Sequence, residues 1–265
     1  MRDGCEGGIL VTDPQASGVT YHANVMSSRL DRATAWAVHL LTASGAAWGF
    51  LALVAIADGR LATALGWMLL ALLVDGVDGT LARRFHVAEV LPRIDGALLD
   101  NLIDYLNYAV VPAFLLYQPG LLPEGYGLFA ALFVCLASAF QFTHPGAKSP
   151  DHMFRGFPSY WNVVAFYLLL LGLDPRLNFA IIVILGVLSF APIHHVYPSR
   201  TPTLRPLTLV LTGVWGACLL LQLVLYPRVE PWVVHGSLAY VVYYFALSFV
   251  LTIKRRPVTG PLEDK

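Results

Sequence analysis

LLVDGVDGTLARRF (residues 72–85) and RIDGALLDNLIDYLNYAVVP (residues 93–112) decide how this chain is read. Both stretches are apolar enough to cross a membrane, yet together they carry Asp75, Asp78, Asp100 and Asp104. An ionised carboxylate in or near hydrocarbon costs several kcal/mol, so it persists there only with a partner or a task. Four acids in two neighbouring spans need cations between them, and divalent metal is the simplest supply.

The rest of the sequence agrees with a membrane setting. The chain has 265 residues, 57% hydrophobic and 13% charged, with a mean hydropathy of +0.64. Soluble domains carry about 25% charged residues, so the composition points to an integral membrane protein. Formal net charge is zero, and the distribution of charge matters more than its sum. Cys5, Cys135 and Cys218 are far apart with no CxxC, which favours packing roles over a disulfide or metal site. Residues 1–30 lack an apolar h-region, so no signal peptide is expected and the first span directs insertion.

A membrane-crossing helix needs about 20 apolar residues. The sequence offers eight such stretches: 35–57, 61–82, 95–117, 126–143, 158–173, 177–193, 206–226 and 232–253. The expected fold is therefore all-α, with about eight transmembrane helices. Residues 1–33 read as a flexible or interfacial cytoplasmic segment, 34–255 as the transmembrane catalytic domain, and 256–265 as a cytoplasmic tail. With the N-terminus inside, 14 of the 17 basic residues fall on the cytoplasmic side, leaving Arg60, Arg176 and Arg228 outside. The positive-inside bias then favours both termini in the cytoplasm. The second span ends, and the third begins, at that same face, so the aspartates open to the cytosol.

On a helix turning 100° per residue, Asp75, Asp78, Gly79 and Ala82 share an arc of about 100°. Gly96, Asp100 and Asp104 form a similar stripe at i, i+4 and i+8. Antiparallel packing of the two stripes would gather the four carboxylates, and the small residues would admit a close helix or a flat nucleobase. Carboxylate oxygens suit Mg²⁺ or Mn²⁺, and a pair of such ions stabilises attacking and leaving oxygens in phosphoryl-type transfer. Arg83 could hold a diphosphate through its fork of donors. The bland alternative is a set of acids paired with Arg83, Arg84 and Arg93 to seal helix ends. A divalent-cation transporter is a further alternative, disfavoured because its acids should lie near the midplane and recur in a second half.

Asp75-x2-Asp78-Gly79-x2-Ala82-Arg83, followed by Gly96-x3-Asp100-x3-Asp104, resembles the signature of the CDP-alcohol phosphotransferases. Residues 84–95 form a longer spacer than most of that family has, and Gly76 adds a DG before the second aspartate. This form is similar to a bacterial branch of the family that uses choline. The runs AWAVHLLTASGA (35–46), GFPSYWNVVAFYLLLL (156–171) and FAPIHHVYPSR (190–200) are also similar to that branch. The resemblance covers most of residues 33–255.

It implies a helical bundle in the bacterial inner membrane that transfers the phosphatidyl group of CDP-diacylglycerol to choline and releases CMP. It implies two divalent cations, Mn²⁺ or Mg²⁺, held by Asp75, Asp78, Asp100 and Asp104, with Asp104 as general base. Gly79, Ala82 and Gly96 would make room for the nucleotide, Arg83 would assist the diphosphate, and Thr42 matches a polar position near the nucleotide. Serine, glycerol phosphate or inositol phosphate are the alternative acceptors. Homodimerisation is common in that family, and the sequence carries no interface signal of its own. No P-loop or GxGxxG is present, and nothing points to nucleic acid.

Choline is a quaternary ammonium without N–H donors, so aromatic faces should recognise it. Tyr160 and Trp161 are the first candidates, with Tyr105 and Tyr197 behind them; an interfacial aromatic belt is the competing explanation. His194 and His195 read as residues of a solvated loop, with a lipid-phosphate contact as the alternative, and His39 reads as a helix-packing residue.

Overall fold

Ser28 starts the first helix. Its hydroxyl accepts a hydrogen bond from the Asp31 N–H at 3.1 Å, while the Asp31 carboxylate accepts from the Ser28 N–H at 2.8 Å. This reciprocal cap satisfies two donors that a helix start otherwise leaves open. Helix α1 accordingly spans Arg29–Ala57 and begins inside the segment expected to precede the bundle. The computed structural model describes residues 28–144, 153–198 and 200–254. The expectations for residues 1–27, Cys5 and the tail 256–265 lie outside the described residues.

A turn through Gly59, with φ +70°, reverses the chain into α2 (Leu61–Arg84). A short α3 (Val87–Val90) leads to α4 (Gly96–Tyr105), capped by Asp95, whose carboxylate accepts from the Leu98 N–H at 2.9 Å. A π-helical turn, Leu106–Val110, then joins α4 to α5 (Val111–Tyr117). The third expected span is thus one helical run with a wide turn inside it. Pro112 gives the local reason: it has no N–H, and its ring would clash with the carbonyl four residues earlier in a regular α-helix. Widening the turn just before it relieves that clash.

The run continues with α6 (Gly127–Thr143), β1 (Met153–Arg155), α7 (Trp161–Leu171), α8 (Pro175–Leu188), β2 (His194–Val196), α9 (Arg205–Leu225) and α10 (Pro231–Lys254). Among the described residues four helices, α1, α2, α9 and α10, are long and apolar enough to cross a membrane. With 11 and 14 residues, α7 and α8 measure about 16 and 21 Å at 1.5 Å per residue, short of the ~30 Å hydrocarbon core. Large apolar side chains stand exposed along the outer helices, among them Val210, Val214, Val224, Val242, Phe249 and Ile253. In water such a surface would be unfavourable, and in lipid it is solvated. The core centres on α5, where Val111, Leu115 and Leu116 are fully buried against Ile56, Val134, Trp161 and Ile182.

One feature departs from an all-helical reading. β1 and β2 pair antiparallel, with Met153 opposite Val196 and Arg155 opposite His194. The ribbon is fastened to α10 by side chains, the N–H of His194 donating to Thr252 Oγ1 at 2.9 Å and that of Val196 to Ser248 Oγ at 3.1 Å. His195 is therefore not in a solvated loop: it is 3% exposed, with its ring against Tyr244 and Phe245.

Candidate active site

Two glycines on α1 set how closely the acidic helices approach. A Cβ at Gly45 would come within 2.4 Å of Ile103 Cγ2, and one at Gly49 within 2.7 Å of Asn107 Oδ1. No larger residue fits, so α1 lies flush on α4 and the wide turn. Asn107 fixes the contact, donating to the Gly45 carbonyl at 3.0 Å and to the Ile103 carbonyl at 3.1 Å. Small-x3-small spacing is a recurrent device for close helix packing in membranes, and Gly45-x3-Gly49 was the available signal for it.

That packing gathers carboxylates from α2 and α4. One oxygen each from Asp75, Asp78 and Asp100 lies within 4.8 Å of the others. Asp78 is the most enclosed, 3% exposed, with Thr42 of α1 as a side-chain hydrogen-bond partner. Asp104 faces the same cavity but stands outside this trio. Three hard carboxylate oxygens at such separations fit a divalent cation such as Mg²⁺ or Mn²⁺, which oxygen donors suit.

The trio lies in an open cleft of about 260 Å³ at the end of the bundle where α2 finishes and α4 begins. One wall is Asp75, Asp78, Gly79, Arg83, Asp100 and Asp104. Arg83 donates to Thr80 Oγ1 at 3.2 Å, and a Cβ at Gly79 would meet its Nη1 at 3.2 Å. The missing side chain at Gly79 thus leaves the guanidinium lying over α2 beside the acids.

The remaining lining is largely aromatic. Tyr108, Tyr160, Phe154 and Tyr197 supply it, in sequence of contact. Ring centroids are 6.3 Å apart for Tyr108 and Tyr160, 6.4 Å for Tyr160 and Phe154, and 4.8 Å for Phe154 and Tyr197. The Arg200 guanidinium carbon sits 5.3 Å from the Tyr197 ring centre. The β1–β2 ribbon delivers Phe154 and precedes Tyr197, while Ser159, held at φ +57° and fully buried, turns the chain so that Tyr160 reaches the cleft. A left-handed backbone at a non-glycine residue costs energy and tends to persist at functional sites.

Not every expected residue joins this cleft. Trp161 is fully buried, its indole N–H donating to Ser138 Oγ at 2.9 Å and its ring against Phe157, so it packs the core. Tyr105 turns toward α6, its hydroxyl donating to the Cys135 carbonyl at 3.1 Å. Ala82 packs with Ala35, Val38 and Val87, and Gly96 lies against His39, both outside the cleft lining. Tyr108, Phe154 and Arg200 were not among the leading candidates. Tyr108 continues the i+4 stripe of Asp100 and Asp104, which was a readable signal; Phe154 and Arg200 reach the cleft through pairing of two distant loops, which has none.

A family model described as CDP-alcohol phosphatidyltransferase matches residues 37–193. Among curated relatives, a phosphatidylcholine synthase of Mesorhizobium japonicum is 43% identical over 70% of this chain and 69% of its own length. One from Rhizobium meliloti is 41% identical over 83% of this chain and 91% of its own. A third, from Legionella pneumophila, is 42% identical over 82% and 88% respectively.

Proposed function

Because this chain belongs to the CDP-alcohol phosphatidyltransferase family, we propose that it transfers the phosphatidyl group of CDP-diacylglycerol to choline, giving phosphatidylcholine and CMP. The observation that carries the reading is the meeting of Asp75, Asp78 and Asp100 in a cleft that aromatic rings also line. Asp75, Asp78 and Asp100, with Asp104 on the same cleft, would hold divalent cations. When bound, such ions supply charge neutralisation for the diphosphate and the departing CMP.

The protein's own groups account for the rest. Asp104 accepts the proton of the choline hydroxyl as that oxygen attacks the phosphorus bearing diacylglycerol. The bond from that phosphorus to the bridging oxygen breaks, and its electron pair leaves with CMP. Gly79 leaves space beside the nucleotide, Arg83 binds diphosphate oxygens through charge-assisted hydrogen bonds, and Thr42 steadies Asp78. Tyr160 and Tyr197, joined by Phe154 and Tyr108, present π faces to the trimethylammonium group.

The setting follows from the same reading. The chain crosses the bacterial inner membrane eight times, and the non-helical residues 156–159 ahead of α7 are buried in protein, as irregular backbone at membrane depth requires. Residues 34–255 form the catalytic domain. Both termini and the cleft face the cytoplasm, where choline and CMP exchange, and the lipid substrate arrives sideways from the bilayer.

Arg200 in the cleft gives one alternative a foothold, an acceptor that bears a phosphate or carboxylate group, such as glycerol phosphate, inositol phosphate or serine. A direct assay separates them: purified full-length protein in mixed micelles with CDP-diacylglycerol and Mn²⁺, offered each acceptor alone. We expect incorporation of choline, and a rise of about tenfold or more in the choline KM for Tyr160→Ala and Tyr197→Ala, as desolvated cation–π contacts are worth up to ~2 kcal/mol. Incorporation of serine or glycerol phosphate with none of choline would overturn the acceptor assignment.

A further inference from the structure

Tyr108 does more than line the cleft. Its hydroxyl donates to Asp75 Oδ2 at 2.5 Å, and its ring is 7% exposed. We propose that Tyr108 is a positioning residue for metal binding: its phenol fixes the orientation of the Asp75 carboxylate and thereby presets the site for a divalent ion. This inference rests on the reading of Asp75, Asp78 and Asp100 as metal ligands.

The backbone explains why Tyr108 can reach Asp75. Along a regular α-helix, a stripe taken every fourth residue drifts by about 40° at each step. Gly96, Asp100 and Asp104 tolerate that drift over α4, but a further step would carry residue 108 away from α2. The π-helical turn Leu106–Val110 intervenes. A turn closed by i→i+5 bonds takes in about one more residue, so the step from 104 to 108 returns almost to the same bearing. Asn107 points to α1 and Tyr108 to α2 from adjacent positions. One wide turn thus ties three helices together at the acidic cluster.

The chemistry follows from the inventory of lone pairs. An ionised carboxylate offers two oxygens with about four acceptor sites. With Oδ2 accepting the Tyr108 O–H, rotation of the carboxylate about its last bond is stopped, and acceptor capacity remains for a cation. Outer groups that orient ligands in this way typically change metal affinity by about 10–100-fold when removed. The ring stays packed against Tyr160, at 6.3 Å between centroids, so loss of the hydroxyl alone leaves the apolar contacts in place.

The test is Mn²⁺ binding to the purified full-length protein without lipid or choline, followed by electron paramagnetic resonance of the free ion. Tyr108→Phe should weaken Mn²⁺ binding by about 10–100-fold while its melting temperature in detergent stays near wild type. The penalty should shrink toward nothing in an Asp75→Asn background, since the partner is then already altered. Unchanged Mn²⁺ affinity in Tyr108→Phe, or an undiminished penalty in Asp75→Asn, would overturn the inference while leaving the metal site standing. A wild-type protein that binds no Mn²⁺ would overturn the metal-site reading itself, and this inference with it.

Discussion

Asp104 stands apart from the trio beside it, and the proposed mechanism gives the two different tasks. Asp75, Asp78 and Asp100 bring oxygens within 4.8 Å of one another, while Asp104 lines the same cleft outside that group. In the proposed role of general base, Asp104 would contribute about 10²–10⁴-fold to turnover. Asp104→Asn should therefore lower kcat by that factor with Mn²⁺ binding largely retained, measured by CMP release and by metal titration on the same preparation. Equal turnover in the variant would remove Asp104 from the chemistry. The acids were legible in the sequence because ionised groups in apolar spans are rare and helical spacing is regular. The aromatic residues were not equally legible. Trp161 and Tyr160 are neighbours in sequence, yet one is locked to Ser138 in the core and the other faces the cleft. The choice depends on Ser159 at φ +57°, a local bend that composition does not announce. Tyr105, expected in the cleft, bonds to α6 instead, and Tyr108 meets the acids.

At the scale of elements, the hydropathy pattern located every long helix, because burying backbone polar groups in lipid leaves little choice but a helix. It missed the β1–β2 ribbon, whose strands lie in separate loops and pair through main-chain bonds with no apolar periodicity. The ribbon carries a titratable group of its own. Burial of His195 pushes its pKa down to about 4 from the ordinary 6.5, His194 adding repulsion and a hydrogen bond to the Gly156 backbone opposing the shift. The folded protein thus keeps His195 neutral while the unfolded chain takes up a proton below pH 6.5. Stability from this residue is full above that pH and is lost as pH falls toward 4, by up to about 3 kcal/mol at 1.36 kcal/mol per pKa unit. Melting temperatures in detergent from pH 7.5 to 4.5 should fall more steeply for wild type than for His195→Gln. Parallel curves would show that His195 is protonated as readily in the folded protein as in the unfolded chain.

Across the whole molecule, the parts serve one end of the bundle. α1 brings Gly45 and Gly49 so that α4 can lie close, α2 and α4 supply carboxylates, and the ribbon leans from α10 to close the aromatic wall. The far end holds tight turns, the exposed pair Asp58–Arg60 and the half-buried pair Arg228–Glu230; the exposed pair is worth little. Such asymmetry fits an enzyme working at one membrane face on a lipid held in the bilayer. The most direct measurement of the account is CMP release from CDP-diacylglycerol in the presence of choline, on the full chain, before and after chelation with EDTA and again with Mn²⁺ restored. The account predicts that release stops with EDTA, returns with Mn²⁺, and stays absent in Asp78→Asn at every Mn²⁺ concentration. Release that continues undiminished in EDTA, or that survives Asp78→Asn, would contradict it.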